Sequence, residues 1–120
     1  MVFPDAGDFS RLARALGHSL RGIRAVYKSE AAFRLEVLVA VVLVPIGFWL
    51  GADGTERALL IGSVLLVMLV ELINSGIEAV VDRIGGERHE LSGRAKDAGS
   101  AAVLFALINA AVVWAVILLI

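Results

Sequence analysis

Five polar side chains, Glu71, Asn74, Ser75, Glu78 and Asp82, follow directly on the almost wholly apolar run Ala58–Val70. Their spacings of 3, 1, 3 and 4 residues place all of them on one stripe of an α-helix. A carboxylate inside a membrane helix costs about 2.5–3.5 kcal/mol on insertion scales, so ionisable groups there are functional by default and face protein or water. The plainer reading is an interhelical hydrogen-bond cluster that holds an oligomer together. Asn74 and Ser75 alone would suit it; two carboxylates stacked one above the other do not. Carboxylates offer oxygen ligands to a hard cation, and Mg²⁺ characteristically takes one or two of them together with waters and substrate phosphates. Glu30 and Glu36, at the start of the preceding apolar segment, could join from the same side. Glu30 taken alone is more often a solvated surface acid, and its nearness to the membrane entry shifts that balance only a little.

Cations lie close by in sequence. Arg88, Arg94 and Lys96 fall within the polar stretch Arg83–Asp97, and Lys96 and Asp97 stand at the mouth of the last apolar run. A lysine there could hold a phosphate as a point charge. The same residues are equally what topology requires of a cytoplasmic loop. The familiar phosphate and zinc motifs are missing: no GxxxxGK[ST], no GxGxxG, no second histidine at HExxH spacing after His89-Glu90, and no protein-kinase catalytic loop. The residues themselves therefore point to acids able to hold a metal and cations able to hold phosphate, at one membrane boundary. An oligomeric ion channel or transporter, using the Glu71–Glu78 stripe to carry ions, stays open on this ground.

The elements that must position these groups are membrane helices. The chain has 120 residues, 59% of them hydrophobic, with a mean hydropathy of +0.88. A soluble domain is nearer 45–50% apolar. A chain this short would leave much apolar surface exposed to water, and lipid removes that problem. One all-α membrane domain over 1–120 is expected. The net charge of −1 selects no polyanionic partner, and the absence of cysteine excludes disulfides and thiolate metal sites. Residues 1–8, with Pro4 and Gly7, read as a disordered lead with Asp8 as N-cap, and without the apolar core of a signal peptide. Over 9–28, Phe9, Leu12, Leu16, Leu20, Ile23 and Tyr27 recur at helical spacing opposite Arg11, Arg14, His18, Arg21 and Lys28. That is the pattern of a basic amphipathic helix lying in the membrane interface.

Three spans follow, over 31–50, 56–81 and 98–120. In the first, Arg34 and Glu36 snorkel at one end, Pro45 can kink the helix, and Trp49 anchors the other end. GADGTE (51–56) is a tight turn, so the first two spans are antiparallel neighbours. Arg83–Asp97 reads as a polar loop with room for a helical turn at its end. Residues 1–34 hold six Lys or Arg, the first loop holds only Arg57, and the second holds Arg83, Arg88, Arg94 and Lys96. The positive-inside rule therefore puts the N-terminus and the 82–97 loop in the cytoplasm, and the first turn and the C-terminus outside.

VELINSGIEAVVDRIGGERHELSGRAKDAGSAAV (Val70–Val103) closely resembles the signature of the prokaryotic diacylglycerol kinases, and GHSLRGIRAVYKSEAAFRLE (Gly17–Glu36) is similar to the same family. The resemblance runs from about Phe9 to Trp114. It implies a homotrimeric inner-membrane enzyme with a surface helix and three transmembrane helices, in which neighbouring subunits share active sites. The implied reaction is transfer of the γ-phosphate of MgATP to diacylglycerol, giving phosphatidic acid. By the same resemblance Glu71 is the general base and Asn74 orients the acceptor, while Glu30 and Glu78 hold the metal on ATP. Arg11, His18, Glu87, Arg88, His89, Lys96 and Asp97 match nucleotide-side positions, with Lys96 on the phosphates. Ser100 matches a lipid-contacting position near Glu71; Trp49, Arg57 and Trp114 line the lipid surface, with Glu36 and Arg11 also expected on the lipid. His18 stands where the family commonly has tyrosine, Leu35 replaces a polar residue and Gly76 replaces alanine. A related lipid kinase acting on undecaprenol is the alternative enzyme.

Overall fold

The computed structural model describes residues 1–85 and 89–120. Four helices account for nearly all of them: α1 (Ala6–Ser29), α2 (Ala31–Leu50), α3 (Gly54–Ile84) and α4 (Glu90–Leu119). The last three are each long and apolar enough to cross a membrane. At 1.5 Å per residue, α3 and α4 reach about 45 Å. That exceeds the ~30 Å of bilayer hydrocarbon, so their ends project beyond it.

α1 starts earlier than the sequence suggests. Asp5, not Asp8, is the N-cap: its carboxylate accepts from the Asp8 amide at 3.1 Å, and Asp8 returns the bond to the Asp5 amide. This reciprocal capping box satisfies two end donors at once and draws residues 6–8 into the helix. No residue of α1 is buried, and its apolar stripe from Phe9 to Tyr27 is exposed along its length. One extended residue, Glu30, separates α1 from α2. Arg34 fixes that break by donating from Nη1 to the carbonyls of Tyr27 and Lys28, both at 3.0 Å, which closes the open C-terminal end of α1. Helix α2 continues through Pro45.

The turn is shorter than the 51–56 expected, because Asp53 caps α3 by accepting from the Glu56 amide at 2.9 Å. The larger difference lies between the last two spans. The expected loop Arg83–Asp97 contracts: α3 continues to Ile84, and α4 begins at Glu90 with His89 as N-cap, its Nδ1 accepting from the Leu91 amide at 3.1 Å. Glu90 and Arg94, one turn apart and 3.7 Å from each other, add to that first turn.

α3 is central, packed against both α2 and α4 and touched by α1. Its buried residues, Leu60, Ser63, Val64, Val67, Glu71, Asn74 and Ser75, form one stripe, apolar in the first half apart from Ser63 and polar in the second. Phe33 from α2 and Leu60 from α3 are fully enclosed. Near the turn, Trp114 of α4 donates its indole N–H to the Leu60 carbonyl and the Ser63 hydroxyl, both at 3.1 Å, while its ring lies against Gly47 of α2.

Candidate active site

Helix periodicity alone brings Glu71, Asn74 and Ser75 onto the buried stripe of α3, with Glu78 half-buried one turn further on. Glu71 is only 6% exposed. Its carboxylate lies within electrostatic reach of Glu30 at the α1–α2 break and of Glu78, and Glu36 on α2 feels Glu71 in turn. Four acids from three elements thus share one neighbourhood. Asn74 donates from Nδ2 to Glu78 Oε1 at 3.4 Å, a long bond. Its Oδ1 is buried without a hydrogen-bond partner among the described residues, as is Glu36 Oε2.

A cation faces this acid group from α4. Lys96 is paired with Asp82 at 2.7 Å, and the charge of Glu78 also acts on it. Because α4 starts at Glu90, Lys96 and Asp97 ride on the same helix as Ser100 and not on a loop. Asp97 and Ser100 are exposed there. Beside the acids runs an apolar groove of about 320 Å³ between α2, α3 and α4, with Leu35, Glu36, Val39, Val67, Met68 and Leu107 among its walls. Among the described residues, Glu36 is the sole ionisable one lining it.

Other expected site residues lie apart within this one chain. Arg11 pairs with Asp8 at 3.9 Å, and His18 Nδ1 is 2.6 Å from an Arg21 guanidinium nitrogen, both on the exposed surface of α1. Trp49 is exposed at the far end of α2, Arg57 stacks over Phe48 at 4.9 Å, and Trp114 is held between helices. His89 spends Nδ1 on its cap and leaves Nε2 free of that duty. Glu87 and Arg88 lie outside the described residues. Among the described residues no three Asp, Glu or His side chains converge on a ready metal cage. A site with two protein carboxylates, such as Glu30 and Glu78, nevertheless fits a magnesium ion that keeps its waters and takes its other ligands from phosphate.

Sequence reasoning passed over three residues here. Arg34 read as a snorkelling cation, yet it sets the break that presents Glu30. Asp82 was noted as part of the stripe, without its partner. Gly99, buried on α4 directly against Asn74, carried no signal beyond being a glycine in a span.

Fold and site together define a class: a small helical membrane protein with a buried carboxylate at the junction of its spans and a lysine facing it. The sequence matches the family described as prokaryotic diacylglycerol kinase over residues 17–118. The Diacylglycerol kinase of Escherichia coli strain K12 is 56% identical over 110 residues, covering 92% of this chain and 90% of that protein. That of Pseudomonas aeruginosa is 53% identical over 117 residues, covering 98% and 95%. That of Haemophilus influenzae is 52% identical over 109 residues, covering 91% and 92%. This chain belongs to the prokaryotic diacylglycerol kinase family.

Proposed function

We propose that the protein transfers the γ-phosphoryl group of ATP to the free hydroxyl of diacylglycerol, at the cytoplasmic boundary of a bacterial inner membrane. The observation that carries the reading is Glu71, a carboxylate buried in a membrane helix, with Asn74 and Glu78 one and two turns along and Lys96 facing them. Glu71 takes the hydroxyl proton as the lipid oxygen bonds to the γ-phosphorus. The bond from that phosphorus to the β–γ bridging oxygen breaks, and ADP leaves. Asn74 orients the acceptor. Glu30 and Glu78 hold Mg²⁺, which when bound supplies positive charge to the phosphate oxygens. Lys96 adds a second positive charge on the phosphates. Phosphoryl transfer draws chiefly on positioning and electrostatics, so a sparse site is sufficient.

The groove beside Glu36 gives an acyl chain a place next to the acids, with the glycerol end at the polar mouth. Arg11, His18 and His89, which one chain leaves apart from Glu71, would reach a shared site in a homotrimer, the assembly proposed here. Trp49, Arg57 and Ser100 would face the lipid, whereas Trp114 is held between helices by its bonds to Leu60 and Ser63.

The test uses purified protein in mixed micelles with Mg²⁺ and labelled ATP, offering diacylglycerol and undecaprenol separately, with Glu71→Gln beside the wild type. The variant keeps the shape and loses the base, so phosphatidic acid should form at least about a hundredfold more slowly. Near-normal turnover in Glu71→Gln would remove that role from Glu71. Product from undecaprenol alone would move the substrate, and no product from either lipid would overturn the kinase reading.

A further inference from the structure

Asn74 is 7% exposed and has a buried oxygen without a partner, although it stands between two acids that the proposed reaction uses. Its Nδ2 faces Glu78 Oε1, and because an amide N–H donates to a carboxylate, Oδ1 must point the other way. What it meets there is the backbone of α4 at Gly99. A Cβ built on Gly99 would collide with Asn74 Oδ1 and crowd its Cγ at 3.0 Å. In glycine that direction is taken by a Cα hydrogen, so the oxygen receives a weak C–H···O contact, as recurs where helices pack closely. Nothing else in the described structure supplies Oδ1 with a donor.

We infer that Gly99 is a positioning residue for the reaction. The bare backbone of α4 at this point is the seat that sets the Asn74 carboxamide, and so its amide nitrogen, toward Glu78 and the reacting groups. The inference rests on the proposed kinase reading for its effect on turnover, but the seat itself is a statement about two side chains. A methyl group at 99 leaves Asn74 no room on α4. The carboxamide must then rotate off its Glu78 bond or lever α3 away from α4, and displacement on the scale of an ångström costs about a hundredfold in a preorganised site. At Gly76, also in a span, alanine meets no such obstacle. A Cβ at Gly76 on α3 would have nothing within 4 Å, and alanine is ordinarily the better helix former.

The experiment compares wild type, Gly99→Ala, Asn74→Ala and the double variant, with Gly76→Ala as the control for a glycine-to-alanine change in a span. Lipid phosphorylation and thermal unfolding are both measured in micelles. Gly99→Ala should lose kcat by at least about tenfold while KM for ATP and for lipid stays within about twofold. In the Asn74→Ala background the same change should cost no further turnover, because the side chain it displaces is gone. Gly76→Ala should keep wild-type turnover. The melting temperature should fall in Gly99→Ala and recover in the double variant. If Gly99→Ala does not fold, recovery of folded protein by adding Asn74→Ala supports the seat, and failure to recover overturns it. Wild-type kcat in folded Gly99→Ala, or losses that add in the double variant, would also overturn it. A wild type inactive on lipid would sink the kinase reading and the effect on turnover, while the melting-temperature cycle would still decide whether Gly99 seats Asn74.

Discussion

Lys96 is already engaged before any phosphate arrives. Its ammonium lies 2.7 Å from Asp82, and the pair is largely exposed, with 43% and 65% of the two side chains accessible. Such an exposed, solvent-screened pair contributes little to stability. On the proposed kinase reading its use is preorganisation: Asp82 keeps a long, flexible cation on the side of α4 that faces Glu78. Asp82→Asn should therefore leave the melting temperature nearly unchanged and raise KM for ATP several-fold, by about 1 kcal/mol of lost positioning. An ATP titration at saturating lipid decides it, and an unchanged KM would reduce the pair to a surface contact. At this scale the sequence was generous with acids and poor in partners. Glu71 stood out because its cost in a span is so high. By contrast, the pairing of Asp82 with Lys96 depends on how α3 and α4 lie against each other, and no spacing along one helix encodes that. The caps by Asp5 and His89 escaped for a related reason. Asp5 competed with Asp8, a nearby residue of equal local merit, and His89 stands inside a stretch whose composition reads as loop.

Hydropathy made the helices themselves legible, because a stretch of apolar residues long enough to span needs no tertiary context to be read. Their ends were less so. The polar segment HELSGRAKD has a loop's composition, yet with no proline and only one glycine it winds into the first turns of α4 once His89 caps it. Equally invisible was the joint between α3 and α4 at the opposite end from the acids. There the Trp114 indole bridges the Leu60 carbonyl and Ser63 hydroxyl, and Ser63 in turn donates to the same carbonyl at 2.9 Å. A tryptophan near a helix end reads naturally as an interface anchor, whereas this one is held between helices and packs on Gly47, a site where a Cβ would come within 3.2 Å of Leu60. Replacing Trp114 by Phe keeps most of the packing and deletes the donor. The expected loss is about 1 kcal/mol, the net worth of a typical buried hydrogen bond. Unfolding of the two proteins in the same micelles measures it, and equal stability would mean that the bridge contributes nothing to holding α3 against α4.

For the molecule as a whole, the question is which way it faces. The acid neighbourhood, Lys96 and the α1–α2 break all lie toward one end of the bundle, and the Trp114 joint and the 51–53 turn lie toward the other. ATP is cytoplasmic, so the proposed chemistry requires the acid end to face inward. The charge distribution asks for the same orientation by an independent route: six Lys or Arg in residues 1–34 against Arg57 alone near the turn. The two arguments share no premise, so a single measurement of sidedness tests both. The absence of native cysteine makes that measurement clean. Single cysteines at Ser10 in α1 and at Ala52 in the turn, both exposed, can be offered a membrane-impermeant maleimide on intact spheroplasts. Ala52→Cys should label from outside, and Ser10→Cys only after the membrane is opened. The reverse pattern would place Glu71 and Lys96 at the periplasmic boundary, away from ATP. The positive-inside reading and the proposed donor would then fail together, and the acid stripe would need a different substrate.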